Sequence, residues 1–186
     1  MGVDPALFTL MTEAGPSEII RIPHDVLTKV NAVNNGEGPT AWSIEAPPNV
    51  NGMYLKGERE TWRGMNKFML VCAPKKSITL MVLYWGEGHG SEIVNTFTSH
   101  FLLIDNDQIF ITNLLRDKPQ LRRDNDVVSA AYLLTEDLLN KIARANTVGV
   151  GMQPSANSRI FMGFIGMPFA DGARKLPGFL RACRQE

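Results

Sequence analysis

Ile78-Thr79-Leu80-Met81-Val82-Leu83-Tyr84-Trp85 is the stretch on which the fold turns. Ile78, Leu80, Val82 and Tyr84 alternate along one side of an extended chain, and Met81, Leu83 and Trp85 make the other side apolar too. Successive side chains of a strand point to opposite faces, so a strand apolar on both belongs at the centre of a sheet or beneath a covering element. The run falls far short of the ~20 residues that an apolar helix needs to cross a bilayer, and Thr79 interrupts it.

Upstream, the loop Ala73-Pro74-Lys75-Lys76-Ser77 separates this strand from an alternating one, Phe68, Leu70 and Cys72. Trp42, Ile44 and Ala46 alternate before Pro47-Pro48 stops them. Downstream, Phe101 to Ile104 and Gln108 to Thr112 flank Asp105-Asn106-Asp107, residue types that tolerate the positive φ of a tight hairpin. The apolar run Val127 to Leu134 fits a strand or a helix. After it, Thr135 caps a helix with Glu136 and Asp137 in its first turn and Leu138, Leu139, Ile142 and Ala143 as its stripe; Asn146 can end it. Leu134 and Leu139 hold the positions of a hydrophobic staple.

A last hairpin is predicted from Val148, Val150 and Met152, a turn over Pro154 to Ser158, and a return strand over Arg159 to Ile165. The chain then ends in an amphipathic helix with Ala173, Leu176, Leu180 and Cys183 on one face, kinked or begun by Pro177. Strands joined by short turns, with one internal helix and a C-terminal helix, predict a mainly β fold: an antiparallel β-sandwich or a strongly bent sheet. Gly15-Pro16, Pro23, Asn34-Asn35-Gly36 and Pro39 set the first forty residues apart. They read as an N-terminal extension over residues 1–40, with one short helix through Val26, Val30 and Val33, ahead of a domain over 41–186.

Lys plus Arg number 19 and Asp plus Glu number 19, so no net charge gathers nucleic acid or an anionic membrane at long range. No cationic segment followed by an apolar run opens the chain, so no secretory signal is read there; an exported protein whose signal has been removed reads the same way. Met1-Gly2 is no myristoylation site, because Ala6 stands where Ser or Thr is wanted.

Three groups of residues invite a chemical reading. Cys72 ends a predicted strand and Cys183 lies on the buried face of the last helix. A bridge between them would pin that helix to the sheet, and two separate buried thiols acting as small hydrophobes is the other reading. Gly86-Glu87-Gly88-His89-Gly90-Ser91-Glu92 follows the central strand, where glycines let the backbone approach a ligand and His89 with Glu87 or Glu92 forms a candidate acid–base pair. Its plain alternative is a hairpin loop with solvated side chains. His24 and His100 read as structural. Trp62 and Arg63, in the polar stretch Lys56 to Asn66, are residue types favoured as binding anchors; alternatively Trp62 covers one edge of the core. The basic cluster Arg116, Lys118, Arg122 and Arg123 is interleaved with Asp117, Asp124 and Asp126 and reads as a salt-bridged surface loop. No cofactor is expected, and no metal, because His and Cys nowhere take ligand spacing.

The C-terminal layout carries a resemblance. Thr147-Val148-Gly149-Val150, then Ile160-Phe161-Met162-Gly163-Phe164-Ile165-Gly166-Met167, then Leu176, Leu180 and Arg181-Ala182-Cys183 follow the capped helix, with Trp42 and Leu70-Val71-Cys72 on upstream strands. Over residues 41 to 183 this resembles exported β-sandwich proteins of Gram-negative bacteria, such as type VI secretion accessory proteins and invasion-associated locus B proteins. The resemblance implies a periplasmic or secreted domain and a Cys72–Cys183 bridge, and supplies no catalytic residues. The expected function is therefore a non-enzymatic binding protein whose partner is a protein or a cell-envelope component, with Trp62, Arg63 and His89 as binding residues. The alternatives are a small hydrolase or lyase using the 86–92 loop, and a cytoplasmic oligomerising structural module.

Overall fold

The computed structural model describes residues 5–12, 22, 26–27, 37–46, 52–61, 64–73, 77–86, 88–112, 121–122, 127–160 and 162–185. The chain forms two compact units, Met1–Glu37 and Gly38–Glu186. In the first, helix α1 (Ala6–Thr12) carries an exposed Phe8. Of the helix expected through Val26, Val30 and Val33, Val26 and Leu27 are helical and the rest lies outside the described residues.

The second unit is mainly β. Strands β1 (Glu37–Glu45), β2 (Tyr54–Thr61), β3 (Gly64–Ala73), β4 (Ser77–Trp85), β7 (Leu121–Arg122) and β8 (Val127–Leu133) form a six-stranded sheet in the order β1-β2-β3-β4-β8-β7. Strands β5 (Ser99–Ile104), β6 (Asp107–Ile111), β9 (Thr147–Gln153) and β10 (Met162–Pro168) form a four-stranded sheet in the order β10-β9-β5-β6. The pairings β2–β3, β3–β4, β4–β8, β7–β8, β5–β6, β5–β9 and β9–β10 are antiparallel. β4 does occupy an interior position, between β3 and β8. Its register (Leu80↔Leu70 and Leu80↔Tyr132) puts Ile78, Leu80, Val82 and Tyr84 on the inner face, in one apolar cluster with Leu102, Ile104, Val148, Val150 and Met152 of the other sheet.

Helices α2 (Gly90–Thr96), α3 (Glu136–Ala143) and α4 (Ala170–Gln185) complete the unit. The α3 cap is as the sequence predicts: the Leu138 amide donates to Thr135 Oγ1 over 3.3 Å, and Leu139 and Ile142 are buried. Thr135→Ala should cost about 1 kcal/mol, read as a lowered denaturant midpoint at unchanged slope. The described residues of 86–92 do not form a hairpin loop. Gly90 opens α2, because Ile93, Val94 and Phe97 have an apolar surface to cover. Pro177 lies inside α4, past its first turn, and its residue is exposed. The undecided run 127–134 is strand β8, packed inward through Val128, Ala130 and Tyr132. The tight hairpin is present, with Asp105 at φ 52° between β5 and β6.

The two sheets meet through polar side chains as well as apolar ones. His100 Nδ1 lies 2.7 Å from the Tyr132 hydroxyl, and Tyr84 donates to Met152 Sδ at 3.0 Å. Burial pushes both phenols up and pushes the His100 imidazole down to about 4, against a hydrogen bond with the Phe97 backbone that pulls the other way. An unfolded histidine titrates near 6.5. Between the two values the unfolded chain holds the extra proton, so this contribution is complete above pH 6.5 and is lost as the pH falls toward 4. It amounts to roughly 3 kcal/mol. His100→Gln should flatten the fall in stability across that window relative to the parent chain, measured by urea unfolding at stepped pH; parallel profiles would show that the buried imidazole is not the sensor.

Candidate functional site

The register that buries one face of the six-stranded sheet fixes the other. Across β2, β3, β4 and β8, Lys56, Met69, Met81 and Ala131 stand in one row, Glu58, Lys67, Leu83 and Ser129 in the next, and Tyr54, Val71, Thr79 and Leu133 in a third. These positions alternate with the core residues, so they share the outer face.

That face has two halves. Over β1 to β3 it is a charged ladder. Lys56 Nζ lies 2.7 Å from Glu45 and 3.1 Å from Glu58, and Lys67 Nζ lies 2.8 Å from Glu58. Ser43 and Tyr54 each donate to the Glu45 carboxylate at 2.8 Å. The hydrogen bond from Lys56, then those from Ser43 and Tyr54, hold Glu45 down to about 2. The bond to Glu45 raises Tyr54 in return. Burial pushes Glu58 up, but the bonds from Lys67 and Lys56 outweigh it and leave the carboxyl below its ordinary value. Burial likewise acts to lower Lys56, and its two carboxylate partners more than reverse that. The ladder is internally neutralised, two carboxylates against two ammonium groups.

Over β4 and β8 the same face is apolar. Met81 and Leu83 are half-buried, Trp85 is 44% exposed and Leu133 is 57% exposed, with Met65 of β3 41% exposed. In the middle of the face Met69, Ser129 and Ala131 are buried, and the exposed Trp85 and Leu133 stand at opposite ends of the β4–β8 pairing. Large apolar side chains left in water beside charge are common at protein contacts.

Of the described residues singled out in the sequence, the two cysteines come together and His89 lies at the other end of β4 from them. Cys72 and Cys183 form a disulfide with Cα atoms 5.6 Å apart, tying α4 to the end of β3. Beside it, Ile78, Leu134, Leu139, Leu180 and Cys183 line a crevice of about 80 Å³ whose rim holds the Arg184–Glu136 pair at 3.4 Å. His89 precedes α2 with its side chain 70% exposed, and its Nδ1 lies 3.4 Å from Glu92. A pair so exposed works in bulk water, without the enclosure that strengthens catalytic electrostatics. Glu87, Trp62 and Arg63 lie outside the described residues, the last two between the ends of β2 and β3. So do His24 and all of the basic cluster except the backbone of Arg122 in β7.

The ladder is what sequence reading missed. Glu45, Lys56, Glu58 and Lys67 come from three strands and become neighbours only through register; the alternation of charge with Leu55 and Phe68 was the available signal. Among the described residues, no group of three or more His, Cys, Asp or Glu side chains could hold a metal, and no helix is long and apolar enough to cross a membrane.

Fold and surface together define a mainly β protein of two antiparallel sheets closed by a disulfide-anchored helix. Among solved structures, this chain is similar to invasion associated protein B from Bartonella henselae, with a TM-score of 0.52 and 10% identity over 80% of this chain and 97% of that one. At that identity the likeness is one of fold. No protein-family model matches the chain, and no curated protein does.

Proposed function

We propose that this chain is an exported, non-enzymatic binding protein whose partner is another protein, engaged by the outer face of the six-stranded sheet. The observation that carries the reading is the pair of exposed apolar side chains on that face, Trp85 and Leu133, set against the ladder of Glu45, Lys56, Glu58 and Lys67. Apolar anchors supply affinity and ordered charges orient the partner. Trp62 and Arg63, which join β2 to β3 in the sequence, are further contact residues by their type. The disulfide supports a periplasmic or secreted address, since such bridges persist in oxidising compartments. The structural neighbour is an invasion associated protein, which agrees with a virulence-associated binding role.

Two measurements test this. Fractionation of producing cells followed by thiol labelling without reduction should recover the chain outside the cytoplasm with both cysteines blocked; a cytoplasmic pool with two free thiols would sink the exported reading. A Trp85→Ser, Leu133→Ser double variant should keep its thermal midpoint and bind the partner captured by the parent chain about tenfold more weakly or worse. Equal binding would move the contact elsewhere.

A further inference from the structure

Three of the sheet edges differ in how they meet water. β10 is bent by an irregularity between Phe164 and Met167, carries Gly163 and Gly166 at positive φ, and ends in Pro168. β1 carries Glu37, Pro39 and Glu45. Kinks, prolines and charges of this kind keep an open edge from pairing with another chain. β6 is the outermost strand of its sheet and carries one such feature, the charge of Asp107 at its turn end; beyond it Gln108, Ile109, Phe110, Ile111 and Thr112 are uncharged, unbulged and free of proline. Phe110 is 58% exposed, while Ile109 and Ile111 pack inward against the core.

The two-residue turn Asp105–Asn106 makes Ile104 and Asp107 the closing pair of the hairpin. In such a hairpin the closing pair is hydrogen-bonded, and the pattern alternates from there. The backbone groups of Asp107, Ile109 and Ile111 therefore face β5, and those of Gln108, Phe110 and Thr112 face outward. We propose that the β6 edge joins a second copy of this chain in an antiparallel two-fold pairing centred on Phe110, making one continuous eight-stranded sheet. This inference is independent of the partner face described above.

The register follows from the strand itself. Within Asp107–Thr112, Gln108, Phe110 and Thr112 have the outward backbone groups, so they form the hydrogen-bonded pairs. Phe110 opposite its own copy, with Gln108 opposite Thr112, gives the longest overlap. That arrangement opposes no like charges. It sets Ile109 across from Ile111 on the inner side, and it extends the edge-on contact between Phe101 and Phe110, whose rings are 6.1 Å apart, into a four-ring row through the two-fold. Cross-strand aromatic and β-branched pairs are the stabilising ones in antiparallel sheets. A foreign strand has no reason to share this self-complementarity.

The test uses the full chain with its native disulfide, which leaves no free cysteine. Sedimentation should show a monomer–dimer equilibrium that rises with concentration, and Phe110→Lys, which opposes two cations, should weaken it at least about tenfold while leaving the circular dichroism spectrum unchanged. Directly opposed residues in a hydrogen-bonded pair have Cα atoms about 5.5 Å apart, within disulfide reach. Under oxidation, Phe110→Cys should cross-link to itself. Gln108→Cys and Thr112→Cys should each cross-link poorly alone and efficiently when mixed. A chain that stays monomeric at every concentration, whether its edge is bare or takes up only foreign strands, overturns the proposal. So does a dimer that survives Phe110→Lys, or cross-linking of Phe110→Cys no faster than that of the exposed Ser155→Cys.

Discussion

Cys72→Ala with Cys183→Ala should lower the stability of the β unit by about 3–4 kcal/mol, the largest effect expected of any change that leaves the apolar packing nearly intact. The bridge closes a loop of 111 residues. In the chain-entropy model, a loop of about 100 residues is worth close to 5 kcal/mol, and measured values usually fall below the model. The substitution removes little else. Cys183 is buried as a small apolar group, and α4 keeps Leu176 and Phe179 in the core. The loss therefore arises mostly in the unfolded chain, which gains freedom, and should appear as a drop of roughly 10 °C in thermal midpoint with the native spectrum unchanged. The parent chain held in reductant should match the double variant. A drop below about 1 kcal/mol would mean that α4 docks through packing alone, and the bridge would then be a marker of compartment with little bearing on stability.

The same bridge shows what the sequence could and could not disclose. Cys72 at the end of an alternating strand and Cys183 on the apolar stripe of a helix gave each cysteine a place, but an even pair at such places is compatible with two thiols. Its pairing came into view through resemblance. The interior strand was legible because Ile78 to Trp85 is apolar on both faces, and α3 because Thr135, Glu136, Leu138 and Leu139 agree on one boundary. α2 was not legible. Glycines at 86, 88 and 90 read as loop, and the helix begins at the last of them because Ile93 is drawn into the core, a tertiary demand that local propensity does not carry. The candidate surface was hidden for a related reason. Met81, Leu83 and Trp85 were visible as a second apolar face, but whether that face lies under another layer or in water depends on which sheet receives the other strands. Likewise, the ladder of Glu45, Lys56, Glu58 and Lys67 exists only once three strands are in register.

Trp42→Ala should cost about 3–5 kcal/mol, and the reason lies in how many elements one indole joins. The ring of this β1 residue meets Phe169 edge-on with centroids 4.8 Å apart and Phe68 of β3 at 6.1 Å. Its Nε1 donates to the Pro168 carbonyl at the end of β10 over 2.8 Å, and Lys175 Nζ of α4 donates to the Trp42 backbone carbonyl over 2.7 Å. Two glycines make the space: a Cβ at Gly57 would stand 2.6 Å from the indole, and one at Gly172 would stand 2.9 Å from it. Gly57→Ala should therefore cost about 1–3 kcal/mol in the parent chain through overpacking. In the Trp42→Ala background the added methyl enters the vacated space and should be nearly neutral. The two substitutions are thus expected to be strongly non-additive in a double-mutant cycle, by at least about 1 kcal/mol in denaturant unfolding. Trp42→Phe separates the remaining parts: it restores most of the buried ring but strands the Pro168 carbonyl, for a loss of about 1–2 kcal/mol. Additive costs for Gly57→Ala and Trp42→Ala would show that the indole does not rest on Gly57. The junction of β1, β10 and α4 would then have to be held by the Lys175 contact and the disulfide.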